Sequence, residues 1–160
     1  NWSAEGSRTK LLDQDSEPSL QLEAVLTYVP RGLTVAADSR VYFTIGHAVY
    51  RRDASGTTVR LAGGFSAGHL DGEGAAARFY FPSGIAADPA SPDVLYVADR
   101  GNHVIRKIDA QGNVSTVMGR PGQAGTVLGA APAGLESPRD VRVVPGGLLI
   151  STGAAVLMAR

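Results

Sequence analysis

A proline-anchored segment occurs three times along this chain, and no other feature constrains its fold as tightly. The copies are Val29-Pro30-Arg31-Gly32-Leu33-Thr34-Val35, Phe81-Pro82-Ser83-Gly84-Ile85-Ala86-Ala87 and Ser137-Pro138-Arg139-Asp140-Val141-Arg142-Val143. The prolines are 52 (30 to 82) and then 56 (82 to 138) residues apart. Each copy opens a short apolar strand, and a second follows: Val41–Thr44, Leu95–Ala98 and Leu148–Ser151. A third follows in turn: His47–Arg51, His103–Lys107 and Ala154–Met158. Two copies add a fourth, Thr58–Gly63 and Val114–Gly119.

Four short strands per unit of about 50 residues is the period of a β-propeller blade. The turn residues agree. Asp53-Ala54-Ser55-Gly56 and Asp109-Ala110-Gln111-Gly112-Asn113 each join strand three to strand four, with a glycine available for positive φ. Tight hairpins leave no room for crossover helices, so each blade is expected to be an antiparallel meander. With 20 glycines and 9 prolines in 160 residues, the chain has the breakers such a fold needs. Helix is expected only within about 71–79, around Gly74-Ala75-Ala76-Ala77-Arg78. The expected class is all-β, a partial propeller of about two and a half four-stranded antiparallel blades. Residues 1–24 form an N-terminal segment, a linker or outer strand. Residues 25–62 form one blade, 63–119 a second with a long inter-blade loop over 63–80, and 120–160 an incomplete third.

A ring needs about four blades or more to close. The expectation is therefore a fragment of a longer chain, or a ring completed by a partner. The first residue, Asn1 rather than Met, is expected of a processed product, an engineered piece or a fragment. The apolar run Ala155-Val156-Leu157-Met158 also points to an incomplete ring, being expected to be buried on both faces by further blade or by a partner.

Composition excludes several functions. Lys plus Arg and Asp plus Glu are each 15, for a formal net charge of zero, so neither nucleic acid nor an anionic membrane is the expected partner. There is no cysteine, hence no disulfide, thiolate metal site or cysteine nucleophile. No apolar stretch approaches the ~18 residues of a membrane span. No phosphate loop or Gly-x-Ser-x-Gly run is present. The compartment stays undefined.

The run Ala98-Asp99-Arg100-Gly101-Asn102-His103-Val104-Ile105-Arg106-Lys107-Ile108 resembles the signature of the NHL repeat, named for its Asn-His-Leu core. The flanks Leu61-Ala62-Gly63, Asp71-Gly72-Glu73-Gly74-Ala75-Ala76-Ala77-Arg78-Phe79 and Pro82-Ser83-Gly84-Ile85-Ala86 resemble the segment linking consecutive repeats. The resemblance is clear over 61–119. Over 28–60 it is moderate, with Gly46-His47 for the Asn-His pair and Ile45 for the Asp. Over 120–160 it is weak, with Ala154 for the His and Leu157 for the Arg. It implies a propeller whose hairpin turns line a ligand-binding rim. NHL propellers also occur as metal lyases, beside redox domains and as RNA binders.

The residues themselves favour structure over chemistry. Asp99 ends a strand at a tight turn, where its carboxylate is expected to accept N–H bonds from Gly101 or Asn102, with Asn102 in a left-handed position. His47 and His103 occupy equivalent repeat positions and read as structural; Ala154 stands at the third, so no metal is expected. Asp71 reads as the N-cap of the alanine helix, with Glu73 near its positive end. Two glycosylation sequons exist, at Asn1 and Asn113. The expected function is a non-enzymatic protein-binding or scaffolding module, with no catalytic residue and no cofactor. Its candidate binding rim carries Arg31, Arg100, Asn102, His103 and Arg139 beside the 64–80 loop. The expected partner is a protein or the remaining propeller blades. The alternative is part of an enzyme or enzyme-associated propeller, or an extracellular sensor or adhesion domain.

Overall fold

The computed structural model describes residues 29–129 and 133–160; the N-terminal segment 1–24 and the sequon at Asn1 lie outside the described residues. The first blade contains β1 (Pro30–Val35), β2 (Val41–Ile45), β3 (His47–Arg52) and β4 (Thr58–Gly64), paired in sequence order and antiparallel. A two-residue strand, β5 (Gly72–Glu73), follows in the inter-blade loop. The second blade contains β6 (Pro82–Asp88), β7 (Ser91–Asp99), β8 (Val104–Ile108) and β9 (Asn113–Gly119), and β5 adds a fifth strand along the outer edge of β9. The third contains β10 (Asp140–Val144), β11 (Gly147–Ser151) and β12 (Val156–Ala159). The all-β partial propeller is thus the observed architecture.

The turns form as their residues dictate. Gly56 N–H donates to the Asp53 carbonyl, and Gly112 N–H to that of Asp109, both at 2.9 Å. Their φ values, +88° and +87°, favour glycine. The outer hairpins share a β-bulge at equivalent positions, at Val49/Tyr50 in the first blade and at Ile105/Arg106 in the second. Repetition thus extends to irregularities, which marks the bulge as part of the unit.

Blade position decides burial. β8 is buried almost continuously because blades pack on both of its faces. Between the first and second blades lie Tyr42, Val49, Phe79, Ile85, Val97 and Ile108. Between the second and third lie Ala98, Ile105, Leu135, Val141 and Ile150. Each large apolar side chain buried this way stabilises the fold by about 1.5–3 kcal/mol. By contrast, Val156 and Met158 on β12 are 71% and 41% exposed, so the run expected to be buried on both faces is covered on one only.

The inner strands approach closely near their starts. Gly84 N–H donates to the Arg139 carbonyl at 2.8 Å, and the Thr44 hydroxyl to the Ser83 carbonyl at 2.8 Å. A Cβ on Gly32 would fall on the Ser83 carbonyl, and one on Gly84 on Asp140. Glycine at these positions is therefore a packing requirement.

Three expectations fail locally. Among the described residues helix is confined to two single 3-10 turns: Gly74–Ala76 lies within the expected 71–79 window, whereas Arg100–Asn102 lies outside it. Gly72 and Gly74, with φ of +151° and +49°, break any longer run. Asp71 is correspondingly no helix cap: Glu73 holds that position and makes no side-chain capping bond. The left-handed residue at the β7–β8 turn is His103 (φ +60°), with Asn102 inside the 3-10 turn.

Candidate functional site

The β7–β8 turn, the inter-blade loop and the start of each inner strand meet on one rim. A buried polar network fixes them. Arg106 projects from β8 with its side chain fully buried, lies over the Phe79 ring at 5.1 Å, and binds two carboxylates. Its guanidinium reaches Asp99 at 3.1 Å and Asp71 at 2.7 Å, and donates to the carbonyls of Arg78 at 3.0 Å and Leu70 at 2.9 Å. Asp71 also accepts from the Thr116 hydroxyl at 3.1 Å, and that hydroxyl bonds His69 Nε2 at 2.9 Å. The residue expected to cap a helix instead ties the loop to β8 and β9.

Asp99 also differs from the local reading. Its carboxylate accepts the Tyr80 N–H at 2.8 Å and the Asn102 side-chain amide at 2.8 Å, in place of the Gly101 or Asn102 backbone. The 3-10 turn directs Gly101 N–H to the Tyr80 carbonyl instead, at 2.7 Å. Burial pushes the Asp99 carboxyl above its usual range, against the opposing donors from Asn102, Tyr80 and Arg106. The other blades lack the pair altogether. Ile45 and Tyr50 stand at these positions in the first, Thr152 and Leu157 in the third. Both members change together, as expected where one buried charge alone would be costly.

The two repeat histidines are latches between blades. His47 Nδ1 accepts the Phe81 N–H at 3.1 Å, and His103 Nδ1 accepts the Ser137 N–H at 3.0 Å. Phe81 and Ser137 each precede the anchoring proline of the next blade and hold positive φ, +47° and +42°. Each ring therefore has an unprotonated Nδ1. Burial, then the nearby Arg31 charge, holds the His47 imidazole below its usual pKa. His69 is lowered chiefly by burial and next by Arg106.

Above the latches lies a cavity of about 360 Å3 lined by Arg31, Tyr80, Phe81, Arg100, Gly101, His103 and Ser137. Three of the five candidate rim residues, Arg31, Arg100 and His103, thus converge. Arg139 is exposed on the same rim but is not in the lining; a Cβ on Gly153 would lie 3.6 Å from its guanidinium. Asn102 is turned inward, its amide engaged by Asp99 and by the Gly68 carbonyl at 2.7 Å, and so holds the turn. Phe81 was not anticipated, and Tyr80 only as part of the loop. Their signal was an adjacent aromatic pair before Pro82, where the third repeat has Glu136-Ser137. The Arg31 guanidinium lies 5.1 Å from the Phe81 ring centre, and the His47 and Phe81 rings are 4.4 Å apart. Among the described residues, no group of three or more His, Cys, Asp or Glu is placed to hold a metal ion, and no helix is long and apolar enough to cross a membrane.

No protein-family model matches the chain. Over 84 residues it is 34% identical to NHL repeat-containing protein 2 of Gallus gallus, a match covering 52% of this chain and 11% of that protein. A protein of unknown function from Bacteroides thetaiotaomicron superposes with a TM-score of 0.73 at 26% identity, over 86% of this chain and 37% of that one. An auxiliary nutrient binding protein from the same organism superposes with a TM-score of 0.70 at 21% identity, over 83% and 37%. A chain of a nidogen/laminin complex shares the fold at a TM-score of 0.59 and 15% identity, over 85% and 44%. The chain thus spans only a small part of the curated relative and under half of these solved chains. It has the fold of part of a β-propeller and is similar over those 84 residues to an NHL repeat-containing protein.

Proposed function

We propose that this stretch of propeller is a non-enzymatic binding module that holds a protein partner on the rim carrying Arg31, Arg100, His103 and Arg139. The cavity beneath Arg31 and Arg100 is the observation that carries the reading: it draws side chains from three successive repeats onto one concave surface. The polar groups of the kind that serve catalysis elsewhere are engaged here in holding the fold. Asp99 and Arg106 are buried against each other, Asp71 braces the loop, and each of the three histidines has one ring nitrogen hydrogen-bonded internally. Arginine and aromatic side chains are also the residues enriched where protein interfaces concentrate their energy.

The test is selection of binders from a random peptide library on the 160-residue chain, followed by one charge reversal on the rim and one introduced charge on the opposite turn. Arg100→Glu is expected to abolish binding of most selected peptides. Gln111→Glu, on the opposite turn, should leave it unchanged. Loss with Gln111→Glu and retention with Arg100→Glu would place the binding face on the other side.

A further inference from the structure

The rim cavity does not stand alone. Phe81 forms a ridge between it and a second hollow of about 310 Å3, lined by Ile45, Gly46, His47, Tyr50, Gly64, Phe65 and Phe81. The second hollow arises where the first blade departs from the repeat. Its β2–β3 turn is the single residue Gly46, where the second blade has Arg100-Gly101-Asn102. Ile45 and Tyr50 replace the Asp99–Arg106 pair there, so apolar and aromatic groups line the space. Phe65 is 87% exposed at its edge. Across the ridge the chemistry reverses. Arg31 and Arg100 have no carboxylate within ion-pair reach among the described residues, and no Asp or Glu lines the basic hollow.

Resting on the reading of the rim as a protein-binding face, we infer that its ligand is an acidic–apolar peptide segment. A carboxylate sits between Arg31 and Arg100, and a neighbouring apolar side chain crosses Phe81 into the hollow of Ile45, Tyr50 and Phe65. Two guanidinium groups suit carboxylate oxygens, which they can engage through paired N–H donors. Exposed apolar surface beside unpaired charge is what an amphipathic segment covers best. A nucleic acid fits less well. It requires many phosphate contacts and a basic domain, whereas this chain has a net charge of zero and its rim hollow holds two arginines.

The experiment is fluorescence anisotropy with the 160-residue chain and a labelled short peptide carrying two glutamates followed by leucine and phenylalanine. Glu-to-Gln and Leu/Phe-to-Ser versions of the peptide and an unlabelled oligouridine competitor complete the set. Each peptide change should weaken binding about tenfold, equivalent to about 1.4 kcal/mol. Arg100→Ala should remove the preference for Glu over Gln, and Phe65→Ser the preference for Leu/Phe over Ser. Both sites are exposed, and unchanged thermal melts check that the variants fold. Binding equally well to Glu and Gln peptides, tighter displacement by oligouridine, or no binding at millimolar peptide would each overturn the inference. A charge-insensitive peptide that Arg100→Glu still displaces would overturn the acidic assignment alone. Peptides insensitive to every rim variant would overturn the rim reading as well.

Discussion

Replacing Asp99 with alanine leaves Arg106 fully buried with one carboxylate partner instead of two. The remaining one, Asp71, is half exposed to water. Removing one member of a buried ion pair costs about 3–5 kcal/mol. Arg106 keeps the carbonyls of Leu70 and Arg78, which favours the lower end, but the Asn102 amide also loses its acceptor. About 3–4 kcal/mol is therefore expected, against about 5–15 kcal/mol for a whole domain. In a chain of this size that lowers Tm by about 6–16 °C. The local reading, loss of a turn carboxylate, would give only about 0.5–2 kcal/mol. The first and third blades supply the control, since they carry apolar or neutral residues at both positions. Asp99→Thr combined with Arg106→Leu, the third blade's pair, should be less destabilising than the sum of the single changes by about 2 kcal/mol or more. Urea denaturation of the wild type, Asp99→Ala and the three variants of the cycle, compared at matched m-values, measures this. A cost below 1 kcal/mol for Asp99→Ala, or additivity within about 0.5 kcal/mol in the cycle, would refute the argument.

Other expectations follow from the same contacts. His47 has a depressed pKa in the fold and an unfolded value near 6.5, so the unfolded chain binds more protons below that pH. Its contribution is fully present above about pH 6.5 and is lost as pH falls below it; denaturation at pH 7.5 and 5.5 should show a decline that His47→Ala diminishes, and an equal decline in both proteins would contradict the latch. Gly84→Ala drives a methyl into Asp140 and should cost at least about 2 kcal/mol. Gly112→Ala meets open space at φ +87° and should cost only about 1–2 kcal/mol of backbone strain; comparable Tm losses for the two would argue against close approach of the inner strands. His69→Ala removes the Thr116 contact but leaves Asp71 on Arg106, and should cost under about 1 kcal/mol by the same assay, with a larger loss placing His69 inside the bracing network.

The repeat made the architecture legible because its signals are local. Proline anchors, apolar strands and Asp-x-x-Gly turns depend on neighbours a few residues away, and the strands built on them follow. The Asp99–Arg106–Asp71 network was not legible, because its partners lie 7 and 35 residues apart and meet only when the inter-blade loop folds back over β8. Asp71 shows the conflict plainly. An aspartate before Gly-x-Gly-Ala-Ala reads as a helix cap, but the positive-φ glycines forbid the helix and the buried arginine claims the carboxylate. The histidines were legible as structural from their repetition alone. What each ring binds was not, since the acceptor role requires the next blade's Phe81 or Ser137. Arg31, Arg100 and His103 could be placed on one rim from topology, whereas Asn102 turned inward because a buried Asp99 needed its amide.

The central claim is that binding takes place on the rim of the β7–β8 turn and the inter-blade loop. Backbone chemical-shift mapping of the isotopically labelled 160-residue chain, titrated with a selected binder, tests it most directly. The account predicts the largest shifts at Arg31, Tyr80, Phe81, Arg100, Gly101, His103 and Ser137, with Asp53–Gly56 and Asp109–Asn113 unmoved. Shifts concentrated on those opposite turns, with the rim silent, would contradict it.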